Sequence, residues 1–385
     1  MVPLGDLLKR VERREVVEPG RTYNVLGAHW YAKGLYTKYA KPGPQIQATY
    51  VYRVEEGDFV YNRLFAWKGS FAIATQENHG CYVSNEFPCF VVEREYLDGR
   101  YLWHYFSRAA AWNEALGLSS GGTPTSRNRL KEARLLAMRI PLPPLEEQRR
   151  IVARIEELTA KIEAARALRQ QAAEEMEMLF ASAARTVFRL RPGWEKASVG
   201  DFCEKPQYGY TESATYEPIG PRFLRITDIQ NGQVNWDTVP FCSCPQPEKY
   251  LLRENDMLFA RTGATTGKSF LVRNCPEAVF ASYLIRLRVQ RLIMPEYLYW
   301  YFQSPSYWSQ ITEEKKGTGQ PNVNGKKLAN VQVPIAPSSE QRRIVAYLDD
   351  LQARIEAVKR HQAATAAALD ALLPSILDQA FKGEL

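Results

Sequence analysis

The sequence predicts a mixed α/β (α+β) protein made of two similar halves, each a leading domain of strands and short helices followed by one long helix. Three observations predict this fold class. A thirteen-residue stretch occurs twice, a heptad pattern follows each copy, and strand-like runs separated by turn residues precede each copy. Because a repeat at a fixed spacing marks a duplicated architecture, both halves are predicted to share one fold.

The repeated stretch contains the hexapeptide EQRRIV, at Glu147–Val152 and again at Glu340–Val345. We call these copies the EQRRIV motifs. They lie 193 residues apart (147 to 340), close to half of the 385-residue chain. A weaker match in the leading domains pairs Asp58–Arg63 with Asp256–Arg261 at an offset of 198. The leading domains have therefore diverged by small insertions, while the motifs and the segments after them keep a strict spacing.

After each motif, apolar residues recur at alternating intervals of four and three, the pattern of a coiled-coil seam. The first predicted seam is Ile151, Ile155, Leu158, Ile162, Ala165, Arg169, Ala172, Met176, Leu179 and Ala183. The second predicted seam is Ile344, Leu348, Leu351, Ile355, Val358, Gln362, Thr365, Leu369, Leu372 and Ile376. Arg169 and Gln362 stand at the same place in the two seams, where they either fix the register or rotate toward solvent. The stretch Ser338–Gln341 is predicted to begin the second helix as a capping box.

These patterns divide the chain into four segments. The predicted leading domains are residues 1–144 and 189–337, and the predicted spacer helices are residues 145–188 and 338–385. Strand-like runs are predicted at Phe71–Thr75, Cys89–Val92, Phe223–Ile226 and Leu284–Val289. One short aromatic helix is predicted in each leading domain, at Tyr101–Trp112 and Tyr297–Trp308.

The chain is basic, with a net charge of +7 at neutral pH and a pI near 9.0. Between Pro19 and Val54 there is no acidic residue, and the basic residues alternate with tyrosines and a tryptophan. This composition suits nucleic acid, because cations neutralise phosphates and aromatic rings stack on bases. A solvated surface with exposed tyrosines fits the same pattern, so the segment alone leaves both interpretations open.

Motifs for catalysis are missing or incomplete. The stretch Thr262–Ser269 resembles a phosphate loop, but three residues separate Gly263 from Gly267 where that loop needs four, and the sequence after it is extended. No Asn-Pro-Pro-Tyr or Asp-Pro-Pro-Tyr sequence of an adenine methyltransferase occurs. The four histidines and six cysteines have no metal-binding spacing. The sequence predicts a chain that binds no metal or cofactor and catalyses no reaction on its own.

Neither a signal peptide nor a membrane anchor is expected. Acidic and basic residues alternate near the N-terminus, and no apolar run approaches the roughly 20 residues that cross a bilayer. The cysteine spacing favours reduced thiols. A cytoplasmic location is predicted.

The order of these features resembles the specificity (S) subunits of type I restriction-modification systems. The resemblance rests on the EQRRIV motifs with their prolines, the two heptad segments, the Asn255–Gly263 run and the Gly319–Val323 loop. In the first half, Gly57–Leu64 followed by Trp67–Gly69 is similar to a second variety of the same recognition domain. The resemblance covers essentially the whole chain.

The resemblance implies a fold, partners and a target. Each leading domain would be a target recognition domain, and the two helices would form an antiparallel coiled coil in a pseudo-twofold internal repeat. The implied partners are double-stranded DNA, two methyltransferase (M) subunits and restriction (R) subunits, with no membrane. S-adenosylmethionine, ATP and Mg²⁺ would be bound by those subunits and not by this chain. The DNA target would be split and asymmetric, because two unlike domains read different bases.

Polar, basic and aromatic residues in loops are the candidates for DNA contact. In the first leading domain they are Lys33, Lys38, Lys41, Asn62, Arg63, Trp67 and Lys68. In the second they are Tyr208, Tyr210, Arg225, Arg261, Thr262, Thr265, Lys268, Lys315, Lys316, Gln320, Asn322, Asn324, Lys326 and Lys327. For Arg63 and Arg261 a hydrogen bond that serves only the fold is the alternative.

The EQRRIV motifs are interpreted as helix starts and as a surface for partner subunits. The residues concerned are Glu147, Gln148, Arg149, Arg150, Glu340, Gln341, Arg342 and Arg343. Glutamate in the first turn suits the positive end of a helix dipole. Two other functions fit parts of the sequence: a DNA-modifying enzyme in its own right, which the missing motifs disfavour, and a helical scaffold with protein-only partners.

Overall fold

The computed structural model describes residues 1–121, 128–230, 232–263, 265–290, 292–313 and 323–385. The chain forms two units, residues 1–169 with 363–385 and residues 170–362. Each unit contains one leading domain and parts of both long helices. In the described residues, no helix is both long and apolar enough to cross a membrane.

The first leading domain consists of short strands followed by short helices. Its strands are β1 (Val2–Pro3), β2 (Leu8–Val11), β3 (Arg14–Val16), β4 (Thr22–Ala28), β5 (Leu35–Pro42), β6 (Tyr50–Arg53), β7 (Phe59–Tyr61), β8 (Phe71–Ile73), β9 (Tyr82–Val83), β10 (Cys89–Val92) and β11 (Arg139–Ile140). Its helices are α1 (Gly99–Phe106), α2 (Ala109–Leu118) and α3 (Glu132–Ala137). The first long helix, α4, spans Leu145–Val187.

The second leading domain has a similar order of elements. Its strands are β12 (Glu195–Ser198), β13 (Gln207–Tyr208), β14 (Arg222–Leu224), β15 (Ile229–Gln230), β16 (Gln233–Val234), β17 (Met257–Ala260), β18 (Ser269–Leu271), β19 (Ala278–Phe280), β20 (Leu284–Leu287) and β21 (Gln332–Ile335). Its helices are α5 (Val199–Phe202), α6 (Pro295–Gln303), α7 (Pro305–Glu313) and α8 (Gly325–Asn330). The second long helix, α9, spans Ser338–Lys382.

The two leading domains share a framework of two antiparallel sheets. A four-stranded sheet has the order β2-β10-β7-β8 in the first domain and β13-β20-β17-β18 in the second. A two-stranded sheet, β1 with β11 or β12 with β21, joins the start of each domain to the residues just before its long helix. The same connections in both halves confirm that one mixed α/β fold is repeated.

The remaining sheets differ between the domains. The first domain adds a five-stranded sheet in the order β3-β6-β9-β4-β5, and its β4–β5 hairpin comes from the acid-free segment. The second domain adds a parallel pair, β14 with β19, and an antiparallel pair, β15 with β16. Insertions between the shared strands therefore build unlike surfaces on one framework.

In the first unit, both long helices pack on the core of the leading domain. Ile155 of α4 and Leu377 of α9 are buried in one apolar cluster with Phe106. Burial stabilises each such side chain by about 1.5–3 kcal/mol. Arg166 and Asp370 form an ion pair at 2.9 Å, and Arg150 donates a hydrogen bond to the backbone oxygen of Leu385. A contact farther along α4 is therefore made with a residue earlier in α9, which means that the two helices run antiparallel in this unit.

The second unit repeats this packing with the roles of the helices exchanged. Ala184 near the end of α4 and Ile344 near the start of α9 are buried with Tyr297. Glu177 of α4 lies 3.8 Å from Lys359 of α9, and Arg191 lies 3.8 Å from Glu340, which again gives an antiparallel pairing. The long helices predicted from the heptads are therefore confirmed in both units.

The single aromatic helix predicted in each leading domain is wrong in its extent, because each is two helices. In the first domain, α1 ends at Phe106 and Arg108 has an extended backbone (φ −93°, ψ 141°). In the second domain the break falls at Ser304, directly before Pro305. A residue before proline is disfavoured in the helical conformation, and proline itself offers no backbone N–H.

The predicted seams hold near the leading domains and shift along the helices. Leu179, Val358 and Leu372 are exposed to 54%, 41% and 45%, although the heptad pattern placed them in the seam. Phe180 and Leu373, one position later, pack against the cores instead. A straight helix has 3.6 residues per turn, so a 3.5-residue pattern drifts by about 20° per heptad and moves to the next residue over several heptads.

Candidate nucleic-acid interface

The turn that joins β4 to β5 is held against the rest of the first leading domain. Tyr31 and Ala32 have left-handed backbones, with φ of 60° and 51°. Their N–H groups donate to the carbonyls of Lys68 and Gly69, at 2.8 and 2.6 Å. Trp103 donates its indole N–H to Ala32 O at 2.9 Å. Because non-glycine residues rarely adopt this conformation, the surrounding contacts determine the shape of the turn.

This turn forms one wall of an aromatic and basic pocket. The pocket has a volume of about 500 Å³ and is lined by Gly27, Ala28, His29, Trp30, Tyr31, Lys33, Tyr36, Lys38, Asn62, Phe65 and Phe87. Trp30 and Tyr31 are exposed to 42% and 55%. The Lys68 ammonium lies 3.7 Å from the centre of the Trp30 ring, a cation–π distance. Exposed rings beside lysines suit the bases and phosphates of a nucleic acid.

Three of the four lysines predicted in the first leading domain lie at this pocket, and the fourth, Lys41, lies farther along the hairpin. Lys33 and Lys38 line it, Lys68 lies on its tryptophan, and Lys41 lies 4.4 Å from the Tyr39 ring on the same hairpin. Trp67 is half-buried and donates its indole N–H to Leu64 O. The exposed rings of Trp30, Tyr31, Tyr36 and Phe65 were not among the predicted contacts. For Trp30, Tyr31 and Tyr36 the signal was the aromatic composition of the acid-free segment, whereas Phe65 lies outside that segment.

Asn62 and Arg63 are buried, with exposures of 8% and 7%. The Asn62 side chain accepts a hydrogen bond from Leu64 N at 2.9 Å. Arg63 donates to the backbone oxygen of Asn85 and to the carboxylate of Glu132. Burial alone raises the pKa of Glu132, but the hydrogen bond and charge of Arg63 more than offset it, so that pKa is lowered. Arg63 thus serves the fold, the alternative that the sequence left open.

In the second leading domain, the predicted residues Tyr208 and Arg261 lie together. The guanidinium carbon of Arg261 is 5.2 Å from the centre of the Tyr208 ring. Arg261 N donates to Tyr283 O, and Val323 N donates to Arg261 O, at 2.9 and 3.0 Å. Tyr208 and Tyr283 are exposed to 39% and 38%. Tyr283 was missed by the sequence analysis, because it stands alone before a strand without any basic neighbour.

Other predicted residues of this domain have internal roles. Arg225 binds the Asp228 carboxylate through two side-chain hydrogen bonds of 3.1 and 2.8 Å. The ring of Tyr210 packs 5.2 Å from that of Tyr250. Asn324 caps α8, since its side-chain oxygen accepts from Lys327 N at 2.9 Å. Lys326 is exposed on the same turn, and Lys315, Lys316, Gln320 and Asn322 lie outside the described residues.

The stretch that resembled a phosphate loop connects two strands of the four-stranded sheet. After Lys268 the chain enters β18, so no helix N-terminus follows it. Thr262 and Lys268 are exposed, and Thr265 is half-buried. Thr265 and Lys268 line a cavity of about 700 Å³ that also includes the carboxylate-bearing Glu356. The expectation that the match fails as a nucleotide site is consistent with this geometry, since a phosphate loop must open a helix.

The glutamines of the EQRRIV motifs are internal, which corrects their assignment to a partner surface. Gln148 is fully buried, and it donates to Tyr96 O and Pro143 O and accepts from Asp98 N. Gln341 makes the same three contacts in the second unit, with Leu292 O, Ala336 O and Met294 N. The predicted capping role of Gln341 is therefore wrong. Each glutamine instead joins the first turn of a long helix to the loop before an aromatic helix.

The charged residues of the motifs remain on the surface. Glu147 pairs with Arg150 and Glu340 with Arg343, in each case three residues apart with a shortest distance of 2.7 or 2.8 Å. These carboxylates have lowered pKa values because they accept hydrogen bonds from the arginines. Arg149 and Arg342 are exposed and form no ion pair with any described residue. Each unit therefore presents the same charged helix start.

The seam residues closest to the motifs, Ile151, Ile155, Ile344 and Leu348, lie in the cores of the units. Ile151, Ile155, Ile162, Ile344, Leu348 and Ile355 are buried, and Leu158 and Leu351 are half-buried. In the described part of the chain, no group of three or more histidine, cysteine, aspartate or glutamate side chains could hold a metal ion.

Comparison with known proteins gives one family for both halves. The sequence profile of the type I restriction modification DNA specificity domain matches residues 15–174 and 192–365. Curated relatives include the EcoKI specificity subunit of Escherichia coli K12, 25% identical over 305 residues, and the EcoBI specificity subunit of Escherichia coli, 24% identical over 276 residues. These alignments cover 74% and 64% of this chain. They cover 65% and 58% of the relatives, so the chain spans less than two thirds of their length.

Two solved structures have a similar fold. One is the crystal structure of the HsdS subunit from Thermoanaerobacter tengcongensis, with 26% identity, a TM-score of 0.68 and coverage of 100% of this chain and 96% of that one. The other comes from work on complex assembly and conformational transition of the type I R-M system, with 27% identity, a TM-score of 0.80 and coverage of 100% and 97%. Both support the fold of two repeated α/β domains with two long helices.

Proposed function

The chain belongs to the type I restriction-modification DNA specificity family, and on that premise we propose that it selects the DNA sequence on which such a complex acts. The first leading domain reads one half-site and the second reads another. Because the two domains expose different residues, the target is split and asymmetric. This proposal places the chain on DNA in the cytoplasm.

One observation carries the proposal: the two halves keep the same framework and differ in what they expose. The four-stranded sheets have equivalent orders, and the buried glutamines make equivalent contacts. The exposed surfaces have little in common, since the first domain has the β4–β5 hairpin with its aromatic pocket and the second has Tyr208 and Arg261. A repeated frame with unlike surfaces is what two half-sites of different sequence require.

The partners are two methyltransferase subunits and, in a restricting complex, restriction subunits. Their support is the pair of equivalent helix starts, where Arg149 and Arg342 are exposed and the glutamate–arginine pairs recur. Two copies of one partner need two similar surfaces, and each unit offers one. The structural neighbour described in work on complex assembly adds support from the family.

The chemistry takes place on those partners. A methyltransferase subunit would bind S-adenosylmethionine and take the target adenine out of the duplex, and restriction subunits would use ATP and Mg²⁺. This chain would hold the DNA in register by its phosphate contacts and select it by contacts to base edges. Transfer of labelled methyl groups to DNA by the purified chain alone would contradict this division of labour.

Exchange of one leading domain tests the proposal. Residues 1–140 are replaced by the matching segment of another family member, and the duplexes bound from a randomised pool are sequenced. One half-site is expected to change to that of the donor, while the other half-site stays the same. A variant with an unchanged target, or with both half-sites altered, would contradict the assignment of one domain to one half-site. Equal binding of all duplexes and of an acidic polymer would favour a scaffold with protein-only partners.

A further inference from the structure

Arg63 and Arg261 occupy equivalent positions in the shared four-stranded sheet. Each lies five residues after a buried aspartate, Asp58 or Asp256, and just after the strand that follows it, β7 or β17. Those strands hold the same place in the two sheets, between β10 and β8 in one and between β20 and β18 in the other. The two arginines therefore lie at the same place in the two domains, just after equivalent strands of the four-stranded sheet.

Their surroundings differ. The Arg63 side chain is 9% exposed, and its guanidinium is held by Glu132 and by the backbone of Asn85. Arg261 is half-buried and has no ion pair or side-chain hydrogen bond with any described residue. Its buried Nε atom lacks a hydrogen-bond partner among those residues. An arginine whose terminal guanidinium donors are unused by the described residues is suited to an acceptor from outside the protein.

The Arg261 side chain is nevertheless positioned. Hydrogen bonds to Tyr283 O and from Val323 N fix its backbone on both sides. The Tyr208 ring lies beside its guanidinium, and the Tyr208 hydroxyl is fixed in turn, because it accepts a hydrogen bond from Gly325 N at 3.0 Å. A planar guanidinium held against a ring presents its donors in one plane, unlike a flexible ammonium.

We propose that Arg261 is a specificity-determining residue that reads a guanine in the half-site of the second leading domain, whereas Arg63 reads no base. This inference rests on the proposed function. Guanine offers the O6 and N7 acceptors in one plane on its major-groove edge, which matches two guanidinium donors. A phosphate is the competing acceptor, and the exposed Lys326 on the neighbouring turn, which has no ion pair with any described residue, is the better candidate for it.

The test compares base preferences in the full chain, in the complex that it forms in its host, by sequencing duplexes bound from a randomised pool. Arg261→Gln is expected to lose a guanine preference of about tenfold or more at one position and to keep every other position. Arg261→Lys keeps the charge but not the planar pair of donors, and it is expected to keep a weaker guanine preference than the wild type. Lys326→Gln is the matched control, with uniformly weaker binding and an unchanged motif.

A chemical change in the DNA identifies the acceptor. Replacing the selected guanine by 7-deazaguanine removes N7 and is expected to weaken binding by the wild type but not by Arg261→Gln. An unchanged motif in Arg261→Gln, or equal weakening of the wild type and Arg261→Gln by 7-deazaguanine, would overturn the inference in favour of a phosphate or structural role. Either result leaves the proposed function standing if the wild type still selects two half-sites. A wild type without any motif would refute the proposed function itself. Thermal unfolding of each variant, expected to match the wild type, excludes loss of the fold.

Discussion

The side-chain oxygen of Gln341 accepts a hydrogen bond from the backbone N–H of Met294 at 2.7 Å, which joins the first turn of α9 to the residue before α6. Gln148 accepts one from Asp98 in the same way, at 2.9 Å, before α1. Each glutamine also donates to two carbonyls. The EQRRIV motif therefore fixes how each long helix starts from its leading domain, and this internal role explains why its glutamine is buried.

Replacing Gln341 by leucine is expected to destabilise the second unit by about 2–4 kcal/mol, because the backbone groups of Leu292, Met294 and Ala336 lose the partner that a fully buried side chain gives them. Denaturant unfolding of the full chain measures the change. Gln171→Leu is the control on an exposed helix surface, where the glutamine donates a hydrogen bond to Glu175 and an effect within about 0.5 kcal/mol is expected. Equal stability of the two variants would contradict the anchoring role.

Removing Arg63 should affect folding rather than base preference. Arg63→Ala removes the hydrogen bonds to Glu132 and Asn85 but leaves Glu132 paired with Arg10 at 3.2 Å, so a loss of about 1–3 kcal/mol is expected. Arg261→Ala, which breaks no ion pair among the described residues, is expected to change stability by less than about 1 kcal/mol. Thermal unfolding of both variants in one buffer makes the comparison. Similar losses for the two arginines would show that Arg261 is also structural.

The lysines of the β4–β5 hairpin are expected to set part of the salt dependence of DNA binding. If Lys33, Lys38 and Lys41 each neutralise a phosphate, changing all three to glutamine lowers the slope of log affinity against log salt by about 0.9 for each. Lys161→Gln, which removes a lysine paired with Glu157 on α4, should leave the slope unchanged. Binding titrations over a range of salt concentrations measure this slope. An unaltered slope in the triple variant would contradict DNA binding by the lysines of the β4–β5 hairpin.

The buried side chain of His104 is expected to make the folded chain less stable at acid pH. Burial lowers the pKa of His104 below its usual 6.5, although the charge of Glu156 opposes this and Arg100 and Asp98 lie nearby. The unfolded chain then binds a proton more readily than the folded one. The stability from neutral His104 is complete above about pH 6.5 and is lost as the pH falls through the lower folded value, by at most about 1.4 kcal/mol per pH unit.

Unfolding at about pH 7 and about pH 5.5 measures that loss. His104→Gln has no titrating ring and should lose less stability between the two values than the wild type. The exposed His79→Gln is the control and should behave like the wild type. A wild-type loss that persists in full in His104→Gln would assign the acid sensitivity to other groups.

The duplication and the two long helices could be predicted because the sequence patterns that mark them are local. The EQRRIV motifs and the heptads lie within short stretches, and their spacing is visible in the chain itself. The role of Gln148 could not be predicted in this way, because Asp98 is 50 residues away along the chain. Arg63 and Glu132 are separated by 69 residues, so only the fold reveals that this arginine is already paired.

Some of the candidate DNA contacts could likewise be predicted from local sequence patterns, and others could not. Composition identified the acid-free segment, and the structure brings two of its lysines, Lys33 and Lys38, to one pocket with the rings of Trp30, Tyr31 and Tyr36. The left-handed conformation of Tyr31 and Ala32, which shapes that turn, has no glycine signal in the sequence. Tyr283 contributes through its backbone to the Arg261 site, and no local pattern marks it.

Mapping methylated adenines in the genome of a host that carries this chain with its methyltransferase would show whether the chain selects a split DNA target. We expect methylation in one asymmetric motif with two short specified blocks, separated by a fixed number of unspecified bases. Loss of the chain should abolish that methylation. A single uninterrupted motif, or methylation that persists without the chain, would contradict the conclusion that two unlike domains on a repeated frame select the DNA.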